Sequence, residues 1–159
     1  MRELPRPARI YVAGVIAIGL ALLLMRLPDA TFAQPVLFIA LLVLSSMTAA
    51  LKVHLPLTTS GSTMSVSYAV DFASLLLIGP HETMLVAAGS AFSQCHLNSK
   101  ERNPVHRTLF SVASLVITVQ ASGLAFRLLG GTGSTMTFST LARPLVGAAT
   151  VYFLLNTGL

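Results

Sequence analysis

The chain has 159 residues, of which 54% are apolar and only 9% are charged, and its formal net charge is +5. Soluble domains average roughly 25% charged residues, so this composition excludes a compact water-soluble body and predicts a protein that lies mostly in lipid. The basic residues lie in short clusters between apolar runs. That distribution argues against a nucleic-acid-binding surface and is typical of a membrane protein oriented by positive charge.

Apolar runs in chain order predict one membrane domain over residues 1–159, and we expect an all-α integral membrane protein. The predicted helices lie at about 8–27, 35–52, 65–79, 81–97, 106–128 and 140–159. Several runs approach the ~20 residues that a span requires, so the sequence predicts a bundle of five to six transmembrane helices. The last run is still apolar at Leu159, and we therefore expect the chain to be truncated at its C-terminus.

Residues 53–67 interrupt this pattern. They first alternate apolar and polar side chains and then become rich in Ser, Thr and Gly, which favours extended or turning backbone over a helix. Unpaired backbone groups cannot face lipid. We therefore expect one short extended segment at the membrane interface.

A Gly79-Pro80 turn is expected to join the third and fourth helices into a hairpin. Both arms are shorter than the ~30 Å thickness of the bilayer core, and the sequence leaves open whether they cross the membrane or re-enter it. Whether the two arms cross the membrane or re-enter it, the chain returns to the side of the membrane from which the hairpin started.

The basic residues set the expected orientation. With a cytoplasmic N-terminus, seven of them lie inside and three outside, which agrees with the positive-inside rule. The inside group is Arg2, Arg6, Arg9, Lys52 and the basic loop residues Lys100, Arg102 and Arg107, and the outside group is Arg26, Arg127 and Arg143.

Asp71 is the one acidic residue inside an apolar run. A carboxylate in the membrane is costly and usually faces a bundle interior or a cavity, so Asp71 is a candidate ligand, cation or proton site. Its alternative role is structural, as an ion-pair partner of Arg143 or as a cap for backbone N–H groups. Gln120 and Ser67 are the further candidate ligand-binding residues. For Gln120 we expect an interhelical hydrogen bond, with a place in the wall of a ligand cavity as the alternative. Gly79, Pro80 and Arg143 are expected to have structural roles.

Residues able to bind a metal are present but show no ligand spacing such as His-x-x-x-His or Cys-x-x-Cys. They are His54, His81, Glu82, Cys95, His96 and His106. The sequence predicts no metal site, no cofactor and no catalytic residues. The expected partners are the lipid bilayer, an unknown small ligand and, through small residues on the helices, a second copy of the chain.

Three local patterns resemble known membrane proteins. They are the polar turn at 57–67, the Gly79-Pro80 hairpin followed by Leu-Val-Ala-Ala-Gly at 85–89, and the basic loop of Lys100, Arg102 and Arg107 leading into the fifth helix. Together they resemble the N-terminal multi-helix membrane regions of bacterial signalling proteins with HD-GYP or GGDEF output domains for cyclic di-GMP. The hairpin is also similar to the substrate-binding subunits of energy-coupling vitamin transporters.

The signalling resemblance implies a multi-pass sensory or anchoring module in the bacterial inner membrane. The chain contains no His-Asp pair, Gly-Tyr-Pro or Gly-Gly-Asp-Glu-Phe motif. The resemblance therefore implies that the output domain lies beyond Leu159 or is missing, and it predicts no enzymatic activity for this polypeptide. The transporter resemblance implies a small-solute transporter or its binding subunit, with Asp71, Gln120 and residues 57–67 around a central cavity. The reading frame beyond Leu159 would distinguish the two.

Overall fold

The computed structural model describes residues 5–50, 52–54, 63–65, 67–97, 105–131 and 138–159. These residues form the six helices expected from the apolar runs. The helices are α1 (Arg6–Arg26), α2 (Pro35–Ala50), α3 (Ser67–Ile78), α4 (Pro80–Leu97), α5 (Val105–Leu128) and α6 (Phe138–Gly158). A 3₁₀ turn, Leu27–Asp29, follows α1 at the predicted Leu-Pro-Asp break.

Two short strands separate α2 from α3. Strand β1 (Lys52–His54) pairs antiparallel with β2 (Thr63–Ser65), with Val53 opposite Met64. The predicted helix at 35–52 therefore ends at Ala50, and the one at 65–79 begins at Ser67. The predictions of helix at Lys52 and at Ser65 were wrong, because the backbone groups at these two positions belong to the ribbon instead.

Helix α5 lies at the centre of the bundle and contacts α1, α3, α4 and α6, while α4 also packs against α2 and α3. The apolar core lies where α3, α4 and α5 meet and includes one residue of α6. Its buried members are Leu75, Met84, Ala87, Ala91, Leu115, Val116, Val119 and Tyr152.

Glycines allow the helices to approach closely at several places. A Cβ atom at Gly19 of α1 would overlap Ala113 of α5, and one at Gly89 of α4 would lie 2.7 Å from the Leu42 side chain of α2. A Cβ atom at Gly123 of α5 would lie 2.6 Å from the Pro80 ring. Close packing through small residues is a common means of helix association in membranes.

The turn between α3 and α4 depends on the backbone of one residue. Gly79 has φ +86°, a left-handed conformation that glycine adopts without steric cost. Pro80 then begins α4, at a position where its missing N–H would have no partner in the helix. The Thr83 amide donates to the Gly79 carbonyl at 3.2 Å.

Large apolar side chains are exposed on all six helices, including Ile10, Val36, Leu77, Phe92, Leu128 and Phe153. Two segments, Arg6–Asp29 and Val105–Leu128, are long and apolar enough to cross a membrane. Only 11% of the best apolar window in the first segment is buried, whereas a core helix of a soluble protein would be buried on its apolar face.

Candidate functional site

Asp71 lies in the second turn of α3, on the face that packs into the bundle. Ser67, Asp71 and Ser74 are all buried on α3 and follow the i, i+4, i+7 spacing of one helix face. Asp71 has no exposed surface. In the sequence Asp71 lies within an apolar run, and in the structure its carboxylate lies in the interior of the bundle.

Hydroxyl groups from two other helices hold the Asp71 carboxylate. The Ser45 hydroxyl of α2 donates to Oδ1 at 2.5 Å, and the Ser90 hydroxyl of α4 lies 3.1 Å from Oδ2. Ser90 is also 3.0 Å from the Ala87 carbonyl, so its single hydrogen is shared between two acceptors. We refer to Asp71, Ser45 and Ser90 as the carboxylate cluster. This cluster joins α2, α3 and α4 through polar contacts.

Tyr152 brings α6 towards the same region. Its ring packs edge-to-face on Phe72, the residue after Asp71, with ring centroids 5.6 Å apart. The Tyr152 hydroxyl is buried and has no hydrogen-bond partner in the described part of the chain. A buried O–H group without a partner is costly and marks a place where a polar ligand would be favoured.

Gln120 lies at a different place from the carboxylate cluster. Its Nε2 donates to the Pro80 carbonyl at 3.1 Å and lies 3.3 Å from the Met84 sulfur. Gln120 therefore connects α5 to the first turn of α4, which is the interhelical hydrogen bond that the sequence predicted. Of the three candidate ligand-binding residues, only Asp71 and Ser67 share one helix face.

Arg143 is exposed on α6 beside the buried Pro144. Both Asp71 and Arg143 are described, and no ion pair joins them. The interpretation of Asp71 as the ion-pair partner of Arg143 was therefore wrong: hydroxyl groups satisfy the carboxylate instead. Of the basic loop residues, Arg107 is exposed in the first turn of α5, and Lys100 and Arg102 lie outside the described residues.

Glu82 forms a second polar site that the sequence did not reveal. Its Oε1 accepts hydrogen bonds from the backbone N–H and the hydroxyl of Thr31, at 3.1 and 3.2 Å. An acidic residue in the first turn of a helix is a recognisable signal, but a partner 51 positions away in a loop is not. Glu82 ties the α1–α2 loop to the start of α4.

Metal-binding residues do not converge in the described ranges: no group of three His, Cys, Asp or Glu side chains is placed to hold an ion there. His54 belongs to β1, and Cys95 and His96 lie in the last turn of α4. The chemistry available to the carboxylate cluster is that of one carboxylate and two hydroxyls, which can bind a proton or a small cation.

Comparison of the chain with protein-family models, with curated proteins and with solved structures finds no match.

Proposed function

We propose that the chain is the membrane-embedded sensory or anchoring module of a bacterial signal-transduction protein, and that the carboxylate cluster is its responsive element. The observation that carries the proposal is the fully buried Asp71 carboxylate, bonded to hydroxyls of two further helices. Hydroxyls can act as donors or acceptors, so binding of a proton or cation at Asp71 would change which bonds hold α2, α3 and α4 together.

The proposed arrangement is a multi-pass bundle in the inner membrane with a cytoplasmic N-terminus. Support comes from the two long apolar helices, the apolar side chains exposed on all six, and the excess of basic residues on one side. Helix α3 has 12 residues and a length of about 18 Å. In this arrangement the β1–β2 ribbon lies at the cytoplasmic interface, where it leads into α3 and makes up the part of the membrane thickness that α3 does not span.

The response would travel along α4. Ser90 contacts Asp71 on one face of α4, while Met84, Ala87 and Ala91 belong to the core shared with α5. A change at Asp71 therefore bears directly on the packing between α4 and α5. Residues 98–104 connect these two helices and carry Lys100 and Arg102, on the side proposed to face a cytoplasmic output domain.

A distance measurement across the cluster tests this proposal. In a Cys95→Ser background, spin labels at Met47 of α2 and Phe92 of α4 occupy exposed positions, so labelling should leave the core intact. In lipid nanodiscs we expect the distance distribution to change between pH 5 and pH 9, or on adding Na⁺. The Asp71→Asn variant, which keeps the shape but cannot ionise, should give one distribution throughout. An unchanged wild-type distribution would contradict the proposal.

A small-solute transporter or its binding subunit is the second candidate, favoured by buried hydroxyls without partners in the described part of the chain, among them Thr83 and Ser122. Flux measurements in proteoliposomes distinguish the two functions, with a pH-sensitive dye or ²²Na⁺ inside to report the movement of protons or sodium. Asp71-dependent flux would favour transport, and a change in distance without flux would favour sensing. The reading frame provides independent evidence: a soluble HD-GYP or GGDEF domain after Leu159 supports signalling, and one or two further helices support transport.

A further inference from the structure

A cavity lies at the other end of the bundle from the β1–β2 ribbon, where the α1–α2 loop meets the α3–α4 turn. Its volume is about 120 Å³, and its walls include Phe32, Gln34, Phe38, Leu77, Ile78 and Glu82. Polar and apolar atoms contribute similar shares of the wall, with Phe32 and Phe38 among the apolar side chains and Glu82 as the one acidic group among its lining residues. The cavity does not include any member of the carboxylate cluster.

Glu82 is largely buried, with only 8% of its surface exposed. Its Oε1 accepts both hydrogen bonds from Thr31, and in the described part of the chain no hydrogen bond reaches Oε2 and no ion pair involves Glu82. Oε2 is not among the buried side-chain atoms that lack a partner, so it keeps access to the surface, where a cation can pair with it. Here the two bonds from Thr31 fix the position of the carboxylate and leave the position of a cation to be filled.

Two aromatic rings lie in the same wall. Phe32 and Phe38 pack edge-to-face with ring centroids 5.1 Å apart. Phe32 has φ +47°, a left-handed conformation that is uncommon for a residue with a side chain. Ring faces attract ammonium ions within about 6 Å of the centroid, and quaternary ammonium ions are recognised in proteins by aromatic groups of this kind.

We propose that this cavity is a binding site for a small organic cation of the ammonium class. Glu82 supplies the negative charge, Phe32 and Phe38 contact the apolar face of the cation, and the Gln34 amide is available to a hydroxyl on the ligand. This inference goes beyond the proposed signalling function and concerns a different site. In the six-span arrangement the cavity opens to the outside of the cell, where α1 ends and α4 begins.

The test is a calorimetric titration of the full chain in nanodiscs with choline and with tetramethylammonium. The matched control ligand is 3,3-dimethyl-1-butanol, which has the shape of choline but no charge. We expect saturable binding of both cations, with the neutral compound binding about tenfold or more weakly because it has no attraction to the carboxylate. Equal binding of choline and its neutral counterpart would overturn the proposal, as would the absence of saturable binding by either cation.

Three variants locate the binding site. Glu82→Gln keeps an oxygen acceptor for Thr31 and should weaken choline binding about tenfold, whereas Phe38→Leu keeps an apolar wall and should weaken it about three- to tenfold. Asp29→Asn removes an exposed acid that pairs with Arg26 in the same loop region and should have an effect below about twofold. If Glu82→Gln does not fold, the choline affinity of Phe38→Leu and the binding of the neutral ligand to the wild type still test the proposal. Wild-type affinity in Phe38→Leu, or in a folded Glu82→Gln, would contradict the proposed site.

Discussion

At the scale of single residues, the two hydroxyls at Asp71 are not equivalent. Ser45 donates to Asp71 alone, while Ser90 divides one hydrogen between Asp71 and the Ala87 carbonyl. We expect Ser45→Ala to lower the free energy of unfolding by about 1–2 kcal/mol, in the range of interhelical hydrogen bonds in membranes. Ser90→Ala should have a smaller effect. Thermal unfolding in detergent measures both.

The matched control for Ser45 is Thr48→Val on the same helix. Among the described residues the Thr48 hydroxyl bonds only to the Leu44 and Ser45 carbonyls of its own helix, so its replacement should change stability by less than about 0.5 kcal/mol. In the Asp71→Asn background, Ser45→Ala should have a different effect from that in the wild type, because residues in contact are not additive. Additivity would show that Ser45 acts independently of Asp71.

The sequence drew attention to Asp71 because a lone carboxylate in an apolar run is conspicuous. It could not indicate Ser45 or Ser90, since buried serines in apolar helices also occur simply as small packing residues. Arg143 was one of two structural alternatives for the partner of Asp71, because opposite charges are easy to recognise in a sequence. The Glu82–Thr31 contact was missed because it depends on how a loop folds back onto the start of a distant helix.

At the scale of helices, alanine substitutions at Gly19 and Gly14 of α1 test the contact between α1 and α5. A Cβ atom at Gly19 would overlap backbone as well as side-chain atoms of Ala113, whereas Gly14 has open space. We expect Gly19→Ala to force α1 away from α5 and to destabilise the protein by about 1–3 kcal/mol. Gly14→Ala should be neutral or stabilising by up to about 1 kcal/mol, since alanine favours a helix. Thermal unfolding tests both, and equal melting temperatures would show that α1 is not held at this contact.

The order and placement of the helices could be predicted because apolar run length and the Gly-Pro turn are local signals. The β1–β2 ribbon could not be placed, because the pairing of Val53 with Met64 joins residues that no local pattern connects. The sequence also could not predict which helices would be neighbours. Small residues indicate where helices can approach closely, but they do not indicate which helix is the neighbour. Gly123, for example, packs against Pro80 at the start of α4.

At the scale of the whole molecule, single cysteines in a Cys95→Ser background test the six-span arrangement. Ala33 and Gly130 are exposed outside the helices, and Val105 is exposed at the start of α5. In intact spheroplasts we expect an impermeant maleimide to label positions 33 and 130, and to label position 105 only after permeabilisation. Position 81 should also be labelled from outside if the α3–α4 hairpin crosses fully. The reverse pattern would contradict a cytoplasmic N-terminus.

The Gly79 turn has a consequence for how the protein enters the membrane during synthesis. Helix α3 is short and carries a carboxylate, so it partitions poorly into lipid by itself. The Ser45 hydroxyl has already been synthesised when α3 emerges, but Ser90 is still eleven residues beyond the turn. In the proposed six-span arrangement we therefore expect α3 to remain in the translocation channel until α4 follows, and the two helices to enter the bilayer together.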